Sequence, residues 1–206
     1  FLQPFVDTVV KNLQGRGFGS IHLHGPFKEL NVEGDAYVMD GGVGVDFLDT
    51  YYTFSDSVHL DSTSVNLRNI TVKDQFGNLG KVSLKFNHLH FRDYSFLVNV
   101  QGNNMLMYNA NQKKNPLIYG TVFASGSLQI QYGTRSDLRM YGDVNIVQGN
   151  YNFSLQQIIH KDFKIRDGST INFRGDPFNA HMDINAIYNL TANIGDLDQS
   201  LLQESS

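Results

Sequence analysis

From residue 18 onward, apolar and polar positions alternate with a period of two. The clearest run sets Ala180, Met182, Ile184, Ala186, Tyr188, Leu190, Ala192 and Ile194 against His181, Asp183, Asn185, Ile187, Asn189, Thr191 and Asn193. Strand side chains point alternately to opposite faces, so this stretch predicts about 50 Å of one-faced extended chain. A second run places Ile118, Val122, Ala124, Leu128 and Ile130 on one face. Tyr119, Thr121, Phe123, Ser125, Ser127, Gln129 and Gln131 fall on the other. A third sets Leu138, Met140, Val144 and Ile146 against Arg139, Tyr141, Asp143 and Asn145. Shorter runs occur at Ile21/Leu23, Leu30/Val32, Val43/Val45/Phe47, Val82/Leu84/Phe86 and Phe96/Val98/Val100. Only the first residues depart from this period. Leu2, Phe5, Val6, Val9, Val10 and Leu13 follow a 3.6-residue spacing, with Pro4 in the first turn and Gly15 and Gly17 beyond. That spacing predicts one short N-terminal helix over residues 2–14, packed on the end of a sheet.

Turn chemistry separates the runs. Asp40-Gly41-Gly42, Gly77-Asn78, Gly102-Asn103-Asn104, Gly149-Asn150 and Asp167-Gly168 all favour positive φ and predict tight turns. Lys114-Asn115-Pro116 and Gly175-Asp176-Pro177 predict longer ones. Short turns make neighbouring strands antiparallel. In two places the alternation slips by one residue: between Leu67 and Ile70, and between Phe86 and Leu89. A slip turns every later side chain to the other face unless a bulge absorbs it, so each predicts a bulge that bends the sheet. The prediction is a mainly β protein of long antiparallel strands, with an apolar interior. Such a sheet must fold over itself, close into a barrel or pack on a second layer.

Composition agrees. The chain has 206 residues, 41% of them hydrophobic and only 17% charged, which excludes compositional disorder. The 10 Tyr and 15 Phe favour strands. A net charge of −4 argues against a nucleic-acid groove. No apolar run reaches the length of a membrane-spanning helix. With Cys 0, disulfides and thiolate chemistry are excluded. Neither an initiator methionine nor a signal-like leader opens the chain, so it is expected to be a fragment of a longer protein. The expectation is a single domain over 1–206, with the helix at 2–14, the sheet at 18–194 and a tail at 195–206.

Catalytic motifs are missing. There is no G-x-S-x-G, H-E-x-x-H, P-loop or complete G-x-G-x-x-G before a helix. His22-x-His24 and His88-x-His90 have a spacing that a metal could use, but no further ligand completes either pair, and ordinary polar-face histidines are the expectation. Three Asn-x-Ser/Thr triplets, at Asn69, Asn152 and Asn189, match the glycosylation pattern without further support. No catalytic residue, metal site or cofactor is predicted, and the protein is expected not to be an enzyme. What remains is the length of the apolar face. An open folded sheet would leave a trough suited to acyl chains, each buried methylene gaining about 0.8 kcal/mol. By apolar content, its lining is Val122, Leu128, Ile130, Met140, Val144, Ile146, Met182, Ile184 and Leu190.

Several segments resemble a known family. Gly149-Asn150-Tyr151-Asn152-Phe153, Phe163-Lys164-Ile165, Gly168-Ser169-Thr170-Ile171-Asn172-Phe173, Gly175-Asp176-Pro177, Asn179-Ala180 and Ile184-Asn185-Ala186-Ile187-Tyr188 are similar to the C-terminal region of the TamB family. Tyr52-Thr53-Phe54 with Asp56, Asp74-Gln75-Phe76-Gly77-Asn78, and Asn87-His88 with Phe91-Arg92-Asp93 resemble its Bacteroidetes-type members. The resemblance implies a β-taco, an open, barrel-like folded sheet with a greasy concave side. It further implies a periplasmic cell-envelope protein, anchored in the inner membrane when complete, with a role in outer-membrane biogenesis. Phospholipid or another acyl-chain ligand and an outer-membrane barrel assembly protein are the partners it implies. Two functions are thus expected: a hydrophobic groove for phospholipid passage or, alternatively, a β-edge interaction module assisting assembly or insertion of outer-membrane proteins.

Overall fold

The computed structural model describes residues 10–188 except 27, 28, 30, 90–92 and 156–158. Strands dominate, and alternation is the reason: each long run has one face to bury and one to solvate. In chain order they are β1 (Val10–His24), β2 (Asn31–Val45), β3 (Thr50–Asp61), β4 (Ser64–Asp74), β5 (Leu79–Leu89) and β6 (Asp93–Ala110). There follow β7 (Ile118–Gly133), β8 (Ser136–Leu155), β9 (Ile159–Ile165), β10 (Ser169–Gly175), β11 (His181–Asp183) and β12 (Ala186–Tyr188). Two 3-10 turns, Asp46–Leu48 and Pro177–Asn179, are the only helical pieces among the described residues. All strands belong to one antiparallel, open, curved sheet, in the order β1-β2-β3-β4-β5-β6-β7-β8-β10-β11. β8, 20 residues long, serves two partners: its first half pairs with β10 and its second with β9. β9 and β10 are thus one strand broken at Arg166–Gly168, and β12 and β11 run beside the two pieces in the same way.

Curvature comes from a repeated device. Asp40, Asn69 and Asn104 adopt left-handed backbone angles, φ 54°, 50° and 53°. Each sits where two residues of an even-numbered strand oppose one serine of the next strand. That serine hydroxyl accepts the hydrogen bond of the bulged N–H: Asp40 to Ser55 at 3.1 Å, Asn69 to Ser83 at 2.9 Å, Asn104 to Ser125 at 2.8 Å. Asn and Asp tolerate this conformation better than other non-glycine residues, and a bulge bends its strand.

Several expectations are corrected here. The slip between Leu67 and Ile70 is the bulge at Asn69. The slip after Phe86 is not a bulge, since β5 pairs with β6 in unbroken register to Leu89, which lies exposed. Asp40-Gly41-Gly42 and Gly102-Asn103-Asn104 lie inside strands rather than at turns, because a left-handed Asx serves a bulge as well as a turn; Gly149-Asn150 also lies inside a strand, with ordinary extended pairing to β9. Gly77-Asn78 does form the predicted turn, between β4 and β5. The predicted helix is overturned over Val10–Leu13, which begins β1: Val10 pairs with Val45 and Lys11 with Gly44. A cross-strand partner outweighs a short helical period. Residues 2–9 and the predicted tail lie outside the described residues. The long run from Ala180 is not one strand either. It breaks at Ile184–Asn185, where Asn185 N–H donates to Ser169 Oγ and Arg166 N–H donates to Asn185 O, matching the break in β9/β10.

One end of the sheet is drawn together. The β4–β5 hairpin is short, and its neighbours run past its tip. There Tyr52 Oη on β3 donates to Leu106 O on β6 at 2.7 Å, although two strands intervene. Asp74, 4% exposed, accepts from the N–H groups of Phe76, Asn78 and Leu106 (2.9, 2.9 and 2.8 Å) and from Asn78 Nδ2 (3.0 Å). Outside this knot, Lys114 from the β6–β7 connection contacts Asp46 and Asp49, which also bind Lys11 of β1. Lys11 and then Lys114 hold Asp46 below its ordinary pKa.

Burial alone would raise the pKa of Asp74, but the hydrogen bonds from Asn78, Leu106 and Phe76 outweigh it and leave it below the ordinary 3.8. A lowered native pKa contributes stability that is present above the unfolded value and is lost as pH falls through the native one. Asp74→Ala leaves three backbone donors unpaired and should cost about 2–4 kcal/mol at neutral pH. Urea titrations at pH 7 and near pH 3 check this: the gap between wild type and variant should narrow in acid.

Candidate functional site: the apolar face

The register assembles the apolar face from small pieces. Ile70, Val82, Val100, Leu128, Gly142 and Phe173 pair in one row from β4 to β10. The row toward the β5–β6 connection is Leu67, Leu84, Val98, Ile130 and Met140. On the other side lie Gly102, Gly126, Val144, Ile171 and Met182. At about 4.8 Å per strand, the six-strand row runs roughly 24 Å across the sheet and each five-strand row roughly 19 Å.

Burial varies along the face. Ile70, Val72 and Met105 form one buried cluster, against which Tyr52, Phe54, Leu67 and Val82 pack. Val122, Ile146 and Ile165 form another, with Met107, Tyr108, Tyr151 and Ile171 against it. Of the predicted lining, Val122, Val144 and Ile146 are buried. Leu128, Ile130 and Met140 are half-buried on the same face. Met182 shares that face but sits near the sheet's edge, 62% exposed. Ile184 falls in the break between β11 and β12 and is exposed. Leu190 lies outside the described residues. Apolar content therefore picks out one face of β7, β8 and β11. It misses Val82, Leu84, Val98, Val100, Ile171 and Phe173, which register adds; the signal for them was their own alternation, matched strand to strand.

Two glycines shape the middle of the face. Gly126 and Gly142 have φ 147° and 140°, which L side chains rarely adopt. A Cβ on Gly126 would lie 2.2 Å from Asp143 O, and one on Gly142 would lie 2.1 Å from Ser127 O. Gly142 separates Leu128 from Phe173, and Gly126 separates Gly102 from Val144, so the face is lowest there. Around the rim, burial raises the hydroxyl pKa of Tyr52 and of Tyr94.

Of the histidines singled out by their spacing, those among the described residues sit on β1 and β5. His22 and His24 share one side of β1 with ring centroids 5.1 Å apart, and His24 faces Glu33 at 3.9 Å. His88 is buried beside Phe86, while His90 lies outside the described residues. Among the described residues no three His, Asp or Glu side chains are grouped to hold a metal. No described helix is long and apolar enough to cross a membrane.

The class defined is an open, curved antiparallel sheet that keeps one apolar face. The model of the TamB C-terminal domain family matches residues 7–206, and the chain belongs to that family. Its members are cell-envelope proteins of outer-membrane assembly and transport, a non-enzymatic family. No curated protein and no solved structure matches the chain.

Ile146→Ala should cost about 3 kcal/mol, because its side chain is 2% exposed and its neighbours cannot close the gap. Met182→Ala should cost under about 0.5 kcal/mol. Gly126→Ala should cost about 2 kcal/mol or more through strain and the clash with Asp143 O. Chemical denaturation of the three variants checks the order.

Proposed function

We propose that this chain is a periplasmic segment of an envelope protein, anchored in the inner membrane when complete, whose apolar face carries phospholipid acyl chains across an aqueous gap. The observation that supports this most is the unbroken apolar register from β4 to β10, half-exposed at Leu128, Ile130 and Met140. A soluble domain of one sheet layer gains nothing by leaving such a face open to water. An acyl chain laid on it is held by burial alone, with no directional partner required. Val122, Val144 and Ile146 then serve as the packed bed beneath the passage. Leu128, Ile130, Met140, Met182, Ile184 and Leu190 contact the ligand.

A second reading has its own observation. β1 is an edge strand with no partner on its outer side among the described residues. Leu13, Phe18, Ile21 and Leu23 on it are 52–68% exposed. Such an edge fits an added strand from an outer-membrane barrel assembly protein or from a client on its way to insertion.

In-cell photo-crosslinking separates the two. A probe at Ile130 should capture phospholipid, and one at the opposite-facing Gln131 should not. Protein adducts alone at Ile130, with strong adducts from a probe at Phe18, would replace the lipid passage by the edge module. Leu128→Asp should abolish envelope integrity in complementation while leaving the domain folded.

A further inference from the structure

The outer face carries a polar array with a hollow in it. Ser83, Asn99, Gln129 and Tyr141 pair across β5, β6, β7 and β8, and Lys81, Gln101 and Ser127 form the next row. Short side chains at Ser83 and Ser127 and the bare backbone of Gly142 make a floor. Asn99, Gln101, Gln129 and Tyr141 rise around it and outline an open hollow of about 440 Å³. That volume lies within the range of small-molecule sites.

The chemistry of the hollow selects its ligand. None of its lining side chains is a carboxylate, and its cation, Lys81, donates to Thr71 Oγ1 at 2.7 Å. Nearby Arg174 is held by Asp143 at 2.6 Å. An anion therefore finds little free charge, and the two aliphatic residues that border the hollow, Val100 and Leu128, belong by register to the row on the opposite face. Amides dominate, and they are pre-positioned: Gln131 Nε2 donates to Gln129 Oε1 at 2.9 Å, and Gln129 Nε2 donates to Asn99 Oδ1 at 3.0 Å. Ordered amides offer a donor and an acceptor side by side, the pattern that vicinal hydroxyls complement. The Tyr141 ring, 41% exposed, offers a flat face for the C–H side of a ring. The rows repeat at about 4.8 Å from strand to strand, close to the length of one pyranose unit in an extended 1,4-linked chain.

We propose that this hollow is a saccharide-binding site: the Asn99–Gln129 amides bind hydroxyls of a linear glycan laid across the strands, and Tyr141 stacks on one of its rings. The site is on the face opposite the acyl-chain passage and does not depend on it.

The test titrates the isotope-labelled 206-residue chain with cellohexaose and, separately, with chitohexaose, followed by nuclear magnetic resonance. Shifts concentrated at the side-chain amides of Asn99, Gln101 and Gln129 with either sugar are the expected result. Tyr141→Ala should weaken binding about tenfold, while Tyr141→Phe keeps it. Gln129→Leu, on a solvated face, provides a second variant should the first disturb folding. No shift with either hexaose up to its solubility, shifts located elsewhere, or equal binding by Tyr141→Ala and Gln129→Leu would overturn the proposal.

Discussion

A buried carboxylate organises this fold. Asp74 sits where a short hairpin ends and its longer neighbours continue, a place where backbone N–H groups would otherwise be stranded. By accepting from Phe76, Asn78 and Leu106 it closes the turn of its own hairpin and fastens β6 over it. Tyr52 then reaches Leu106 from the other side. Leu106, Thr50 and Ile70 around this point are among the most deeply buried side chains, so polar closure and apolar packing coincide. Without that anchor, the strands flanking the hairpin would keep the Tyr52 bond and the Met105 cluster but lose the carboxylate that ties β6 to the hairpin's own turn.

The rest of the curvature is distributed. Three bulges of one design bend three hairpins, each built from a left-handed Asx and a serine on the next strand. The serine satisfies the Asx N–H that the bulge removes from the ladder. The break shared by β9/β10 and β11/β12 works similarly, with Ser169 and Asn185 bonding across it. Bending of this kind leaves side-chain alternation intact on both sides of each bulge. The apolar face therefore stays continuous while the backbone changes direction.

How much of this was legible follows from the nature of the signals. Period-two alternation is local, and it revealed the strands and grouped Val122, Leu128, Ile130, Met140, Val144, Ile146 and Met182, which the register sets on one face. The bulge at Asn69 was visible as a slip between Leu67 and Ile70. Left-handed positions were visible too, but a Gly or Asx pattern does not say whether the chain turns back or merely kinks. Asp40 and Asn104 kink. The helical spacing ending at Leu13 misled because Val10 and Lys11 find partners in β2, a contact no local window contains. Burial was the least legible property. Val144 and Met182 alternate alike, yet one lies mid-sheet and the other near its margin, and strand order decides between them.

The two margins of the sheet are unlike. β1 is 15 residues long, whereas the opposite margin is made of β11 and β12, three residues each with a break between them. A protein adhesive along both sides would stack copy on copy into a ribbon without end. Within the described residues this one has a single long adhesive side. The hydrogen-bonding capacity left over among the described residues is therefore lopsided, one 15-residue strand against two three-residue pieces.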